Sequence, residues 1–369
     1  MPIYWSFLIL SYLLLVIAYK KTTVIGYVNG EEVYYVPNLL KWIPILYVAL
    51  FVCLRDEVLD TYFYIGDFNN MPTNWSAITF YNQTSGSKGF HFIMALFKMY
   101  ISENYYLWLT LIGGVSLYSL FRFYCKFSSN YAFTFFLFIS STAFSWLFNG
   151  ARQFVVACVL IGFVDWFLYG NRKQKLLYIA VAIFMTTIHS SAWFVLPLIY
   201  ICSRGKMLDK WMVLVTIGAI IGTLLMGDIL EAASEVMNKD YDMSESTGSS
   251  VMRLFISAVP LLLVLLKLKR IRKEATPIIS FSINMSLIGI CFYFASTFSS
   301  GILVGRMPIY FTLYNYIILP WLLKKYYNNN LLILVCIFCY TFYFYFLMCI
   351  AWHHLDYKSI ILGLQYFRY

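Results

Sequence analysis

Residues 331–351 read LLILVCIFCYTFYFYFLMCIA, an apolar run that holds no charged residue, proline or glycine. A helix of this length can cross the ~30 Å hydrocarbon core of a bilayer. Similar runs, separated by short polar loops, recur along all 369 residues. Hydrophobic residues make up 61% of the chain and charged residues only 12%, a composition that excludes a soluble globular domain. We therefore expect one all-α polytopic membrane domain that covers residues 1–369.

The apolar runs predict about 12 transmembrane helices. They lie near 2–19, 39–54, 104–123, 130–148, 152–169, 176–188, 190–203, 211–230, 251–267, 277–298, 307–323 and 331–351. The first run has no basic stretch before it and no small-residue cleavage site after it. We expect it to be a permanent helix rather than a signal peptide.

The 27 lysines and arginines are distributed unevenly over the loops. Most of them occupy alternate loops, which the positive-inside rule assigns to the cytoplasm and which leave both termini outside. The net charge of +10 therefore reflects topology and attraction to anionic membrane lipids, and it does not indicate a nucleic-acid-binding surface. The outward-facing minority includes four isolated arginines at helix ends, namely Arg55, Arg152, Arg253 and Arg306.

One predicted hairpin is too short for ordinary spans. Between Lys175 and Arg204 the charge pattern requires two crossings by helices of about 14 residues, which rise only ~20 Å each. His189 is therefore expected at the apex of this hairpin, below the outer surface. Non-helical backbone at that depth is tolerated only where it is buried in protein or lines a wet cavity.

Two outer loops are long. The loop 55–103 ends in an apolar segment from Gly89 to Tyr100, with His91 and Lys98 seven residues apart on one helical face. This pattern is typical of an amphipathic helix in the membrane interface. The second loop, 228–250, is acidic and rich in serine.

Acidic residues follow the second apolar run. Asp56 and Asp60 are four residues apart and would share a face if the helix continued. Carboxylates at a membrane rim suit general-base chemistry on a hydroxyl. The alternative is that they only mark where the helix leaves the lipid.

Polar residues also interrupt two later turns. Arg152 could form bidentate hydrogen bonds with a phosphate, with Asn149 and Gln153 beside it, or it could be a snorkelling arginine in a capped turn. His189 could face a cavity or form an interhelical hydrogen bond. Arg306 begins a span and is either an interfacial anchor or part of an anion site.

In this order, these motifs resemble the EpsG family of bacterial membrane proteins, which are exopolysaccharide polymerases of the Wzy type. The motifs that carry the resemblance are Arg55 with Asp60 and Tyr64, Gly89-Phe90, Asn149 with Arg152-Gln153, His189-Ser190-Ser191-Ala192, and Arg306 with Tyr310-Phe311 leading to Pro320. The resemblance implies a lipid-linked repeat unit as substrate, on the outer leaflet of the bacterial cytoplasmic membrane. An acidic residue in the first large outer loop, followed by interfacial helices, is also similar to the GT-C glycosyltransferase architecture.

These features lead to the hypothesis of an inverting, GT-C-like glycosyl transfer between two lipid-linked glycans, with undecaprenyl diphosphate as the leaving group. Asp60 or Asp56 would take the proton of the acceptor hydroxyl. Arg152, with Arg306 and Arg55, would stabilise charge on the leaving diphosphate. The catalytic candidates are Asp60, Asp56, Arg152 and His189, and the substrate-binding candidates are Arg55, Tyr64, Asn149, Gln153, Arg306 and Tyr310.

Two alternatives stay open: a flippase or exporter of lipid-linked oligosaccharides, and a membrane acyltransferase with His189 as base. No cofactor is expected, although a divalent cation beside Asp56 and Asp60 is compatible with their chemistry. The expected partners are the lipid-linked donor and acceptor and membrane lipids, with a chain-length regulator and a flippase as further candidates.

Overall fold

The computed structural model of the chain describes residues 2–28, 30–84, 87–204, 206–224, 248–298, 304–351 and 356–364. It is predominantly α-helical and divides into two compact units. The first unit combines Met1–Phe194 with Asn330–Tyr369, and the second covers Val195–Asn329.

The first unit begins with a helix, a strand pair and a series of helices. Its elements are α1 (Pro2–Ala18), β1 (Thr23–Val28), β2 (Glu31–Tyr35), α2 (Asn38–Cys53), α3 (Thr61–Asn70), α4 (Trp75–Thr84), α5 (Lys88–Tyr100), α6 (Tyr105–Phe127), α7 (Tyr131–Ile139), α8 (Thr142–Ser145), α9 (Ala151–Gly162), α10 (Val164–Tyr169) and α11 (Arg172–Ile188). The helix α12 (Ala192–Arg204) begins in this unit and continues into the second.

The second unit contains α13 (Lys210–Leu224), α14 (Val251–Leu266), α15 (Leu268–Glu274), α16 (Pro277–Thr297), α17 (Ile309–Thr312), α18 (Asn315–Leu322) and a π-helical turn (Leu323–Tyr327). The chain then returns to the first unit with α19 (Asn330–Tyr345) and a second π-helical turn (Phe346–Ala351). The predicted acidic loop 228–250 lies almost wholly outside the described residues.

Several helices are suited to a membrane. Within the described ranges, four are long and apolar enough to cross one: Tyr105–Phe127, Ala151–Tyr169, Pro277–Thr297 and Asn330–Ile350. A fifth candidate is the pair α14 and α15, which is bent by 87°. Shorter apolar helices, including α1, α2 and α12, accompany them. The prediction of a helical membrane protein is confirmed at this level.

The span predicted over 130–148 is broken in the structure. The helix α7 ends at Ile139, and α8 begins at Thr142. The hydroxyl of Ser140 donates to the Phe136 carbonyl, and that of Ser141 donates to the Phe138 carbonyl. Serine hydroxyls that compete for backbone acceptors in this way bend or end helices. The prediction of one continuous helix was wrong here, and the span predicted over 307–323 is divided similarly, into α17 and α18.

A two-stranded hairpin follows α1 and was not predicted. Residues Thr23–Val28 pair antiparallel with Glu31–Tyr35. The side chain of Glu31 is buried, and its carboxylate accepts a hydrogen bond from the Tyr169 hydroxyl. This contact ties the hairpin to α10.

The helix predicted over 89–100 is confirmed as α5, but its polar side chains point inward. The Lys98 ammonium donates to the carbonyls of Phe68, Asn69 and Met71 at 3.0, 2.7 and 2.9 Å. These carbonyls belong to the C-terminal end of α3, where helix carbonyls lack intrahelical partners. Lys98 therefore fastens α5 to α3, and the two helices support the site described next.

Candidate functional site

Arg55 lies just after α2 and forms hydrogen bonds within the protein. Its side chain is buried, its Nε donates to Thr61 Oγ1 at 2.8 Å, and its Nη1 donates to the Val52 carbonyl. Burial lowers the pKa of Arg55 to about 10, so the guanidinium stays charged at neutral pH. The structure thus places Arg55 as a link between the end of α2 and the start of α3.

The two acidic candidates have different surroundings. Because α2 ends before both, they do not share a helical face as the continuing-helix prediction required. Asp56 Oδ1 accepts from the hydroxyls of Tyr105 and Tyr106, the latter at 2.6 Å. Asp56 Oδ2 accepts from the Ile360 N–H at 2.6 Å. Asp56 is therefore occupied in joining three segments of the first unit.

Asp60 reaches the turn before α9. Its Oδ2 accepts a hydrogen bond from the backbone N–H of Gly150 at 3.0 Å. Gly150 has a φ of +63°, and a Cβ there would lie 2.6 Å from the Trp146 ring, so both conformation and space require glycine. Leu59, next to Asp60, has a φ of +48°, which is unfavourable for a leucine. Backbone strain of this kind often occurs at functional sites.

Arg152 lies two residues beyond Gly150, in the first turn of α9. Its guanidinium carbon is 6.0 Å from the centre of the Tyr64 ring and 5.7 Å from that of Phe90. Its backbone N–H donates to the Tyr64 hydroxyl at 3.4 Å. In the described part of the chain, no carboxylate lies within ion-pairing distance of this half-buried guanidinium. A cation in such a setting suits an anionic ligand.

The amides beside Arg152 are largely enclosed. The side-chain oxygen Oδ1 of Asn149 is buried and accepts no hydrogen bond from any described residue. Gln153 is only 3% exposed. A buried acceptor without a protein donor calls for a ligand or water as its partner. Asn149 can therefore contribute a hydrogen-bond acceptor to a bound molecule.

A histidine and a second aspartate complete this cluster and were not among the predicted site residues. His91 on α5 is buried, and its Nε2 lies 3.8 Å from Asp67 Oδ2 on α3. Burial and the charge of Arg152 lower the pKa of His91, against the opposing effect of Asp67. Burial raises the pKa of Tyr64, which keeps its hydroxyl protonated. The only sequence signal for His91 was its spacing from Lys98.

His189 occupies the turn that the sequence predicted. The helix α11 ends at Ile188, and α12 begins at Ala192. The His189 Nδ1 and the Ser191 hydroxyl are 2.7 Å apart and share a hydrogen bond. The end of α11 also lies close to α5. A Cβ added to Gly89 in α5 would be only 2.9 Å from the carbonyl carbon of Thr187 in α11.

Two predicted site residues belong to the second unit. Arg306 is exposed and precedes α17, and Tyr310 is buried within it. Arg253 lies in the first turn of α14. The expected convergence of Arg306 with Arg152 and Arg55 stays a prediction.

Asp60, Tyr64, Asn149 and Arg152 thus gather around one turn of the first unit. In the residues that the structure describes, no three metal-ligating side chains are close enough together to hold an ion. A divalent cation beside Asp60 would have to take further ligands from a substrate phosphate or from water, as Mg²⁺ commonly does.

The fold and the site define a helical membrane protein with polar residues gathered at helix ends. Residues 38–362 match the EpsG family, and the chain belongs to this family. The resemblance inferred from the motifs is confirmed, and membership indicates an exopolysaccharide polymerase-type membrane protein. No curated protein and no solved structure shows significant similarity to the chain.

Proposed function

We propose that this protein is a GT-C-type glycosyltransferase that joins undecaprenyl-diphosphate-linked repeat units at the outer face of the bacterial cytoplasmic membrane. About 12 transmembrane helices, with both termini outside, would hold the site in the outer half of the bilayer. The growing glycan on its lipid diphosphate is the donor. The terminal sugar of a second lipid-linked repeat is the acceptor.

The observation that carries this proposal is the contact of Asp60 with the turn that carries Arg152. The Asp60 carboxylate binds the N–H of Gly150, and Arg152 follows two residues later without a carboxylate partner among the described residues. A base and an uncompensated cation suit glycosyl transfer from a diphosphate, because one takes the hydroxyl proton and the other stabilises the leaving group.

In the proposed step, the acceptor hydroxyl oxygen attacks the anomeric carbon of the donor sugar. Asp60 takes the hydroxyl proton as the new glycosidic bond forms. The bond between the anomeric carbon and the diphosphate breaks, and its electron pair leaves on the diphosphate oxygen. Arg152 stabilises this developing negative charge, an interaction whose removal typically costs ~100- to 1000-fold in rate.

The remaining residues have supporting roles in this proposal. Asn149 and Gln153 bind sugar hydroxyls or phosphate oxygens beside Arg152, and Tyr64 holds the Arg152 backbone. His189 contacts the glycan from the adjoining turn. Arg55 acts indirectly, because it positions the segment that carries Asp60. Asp56 is assigned a structural role.

For the second unit, we propose that Arg306 contributes a further positive charge to the diphosphate. Tyr310 lies in α17, the helix that follows Arg306, and would orient this part of the chain.

This function can be tested by measuring on which side of the membrane the lipid-linked glycan accumulates and how long it is. In cells that depend on the protein for polymer, Arg152→Ala should leave single repeat units on lipid, accessible to a membrane-impermeant oxidant at the outer surface. Loss of a flippase would instead strand the repeats on the inner leaflet. Polymer of normal length from a well-expressed Arg152→Ala variant would contradict the diphosphate role.

A further inference from the structure

A groove outside the candidate site separates the first turns of α2 from the last turns of α6. It has a volume of about 300 Å³, and Lys41, Arg122 and Lys126 line it. Trp42 and Tyr118 line it as well, and they are 40% and 55% exposed. By the positive-inside rule, these cations mark the cytoplasmic end of the two helices.

The positive charge in this groove is only partly neutralised. Arg122 donates to both carboxylate oxygens of Asp165 at 2.8 and 3.0 Å, and Lys126 donates to Oδ2 at 2.6 Å. The Asp165 side chain is only 3% exposed, so it holds both cations from the protein interior. Lys41 forms no ion pair within the described ranges, and its ammonium lies 5.2 Å from the Trp42 ring centre. Three cations and one carboxylate leave two net positive charges at the groove.

We infer that this groove binds the phosphodiester headgroup of one anionic phospholipid from the inner leaflet. Basic pockets between transmembrane helices on the cytoplasmic side are suited to such headgroups. Lys41 and Lys126 form charge-assisted hydrogen bonds with the phosphate oxygens. Asp165 holds the Arg122 guanidinium and the Lys126 ammonium in place, so that little side-chain freedom is lost on binding.

The apolar part of the groove favours a lipid over a free phosphate ion. Ile45 lies one helical turn from Lys41, and Tyr118 lies one turn from Arg122, and both line the same groove. They offer an apolar path for an acyl chain next to the cationic end. The rings of Trp42 and Tyr118 are of the type that occupies the headgroup level of membranes.

Native mass spectrometry of the full-length protein, titrated with phosphatidylglycerol, tests this inference. The wild type should retain one phosphatidylglycerol molecule in preference to phosphatidylcholine. Lys41→Gln should weaken this binding about fivefold, since one lysine near an anionic surface contributes roughly that factor. Lys41 has no ion pair to lose, so this single variant avoids the disturbance that removal of Lys126 would cause at Asp165.

The control variant Lys173→Gln/Lys175→Gln removes two exposed cations of the first turn of α11, outside the groove. It should bind phosphatidylglycerol like the wild type. Unchanged binding by Lys41→Gln, or an equal loss in the control, would overturn the inference. Displacement of the bound lipid by millimolar inorganic phosphate would also overturn it, because the site would then recognise free phosphate.

Discussion

The carboxylate of Asp60 accepts a hydrogen bond from the backbone N–H of Gly150 at 3.0 Å, although the two residues are 90 positions apart in the chain. This bond joins the start of α3 to the turn before α9. It places the proposed base beside the turn that carries Arg152. The bond fixes the Asp60 carboxylate against the backbone of the turn from which the Arg152 side chain extends.

The first prediction distinguishes the two aspartates. Asp60→Asn keeps an oxygen that can accept the Gly150 N–H but removes the base, so polymerisation should fall ~100- to 10,000-fold. Asp56→Asn keeps the one oxygen that accepts from both tyrosines and loses only the acceptor of the Ile360 N–H, so it should retain most of the activity. The lengths of lipid-linked glycans from cells expressing each variant, separated on a gel, measure this difference. Loss of polymer only in Asp56→Asn would reverse the assignment.

The second prediction concerns the chemistry of the cation at position 152. Arg152→Lys keeps a positive charge but loses the planar, bidentate donor set, so its rate should lie between those of wild type and Arg152→Ala. A matched change, Arg172→Ala, removes an exposed arginine from the start of α11 and should leave chain lengths unchanged. Initial rates of chain extension in isolated membranes provide the comparison. Equal rates for Arg152→Ala and the wild type would exclude an electrostatic role.

The third prediction tests the contact between α5 and α11. Gly89→Ala would force a Cβ against the backbone of Thr187, and overpacking of this kind costs about 1–3 kcal/mol. The protein should therefore unfold at a lower temperature in detergent. Gly114→Ala introduces the same methyl group where no atom beyond its chain neighbours and its own helix backbone lies within 4 Å, and it should be neutral or slightly stabilising. Equal melting temperatures for the two variants would argue against this close approach.

The fourth prediction follows from the lowered pKa of His91. The folded protein binds the His91 proton less readily than the unfolded chain does, because burial and Arg152 disfavour the charged ring. The His91 contribution to stability is thus fully present above the ordinary histidine pKa of about 6.5 and declines as the pH falls below it. Melting temperatures of wild type and His91→Gln between pH 5 and pH 8 test this. The variant should show a weaker decline at acid pH, and an identical decline would contradict the prediction.

The sequence predicted features that depend on local pattern. The turn at His189 and the helix over 89–100 are both present, since apolar periodicity and charged flanks define them. The break at Ser140 was missed because a serine inside an apolar run can bend the helix or can point away from it, and the local sequence does not distinguish these two cases. The strand pair after α1 was missed because only two short segments form it.

Long-range contacts explain the remaining differences. The burial of Arg55 depends on Thr61 and on the end of α2, and nothing in the local sequence distinguishes it from an exposed arginine. The choice between Asp56 and Asp60 depends on partners that lie as far away as Ile360 and Gly150. The role of His91 was missed because its spacing from Lys98 was read as a surface feature, whereas the structure places both residues against α3.

The most direct test of the proposed mechanism is chain extension in proteoliposomes that contain only the purified protein and one defined lipid-linked repeat unit. The wild type should produce a ladder of longer glycans and release one undecaprenyl diphosphate for each repeat added. Asp60→Asn, folded with the wild-type melting temperature, should produce neither. A wild-type protein that forms no ladder, or an Asp60→Asn variant that forms one at the wild-type rate, would contradict the mechanism.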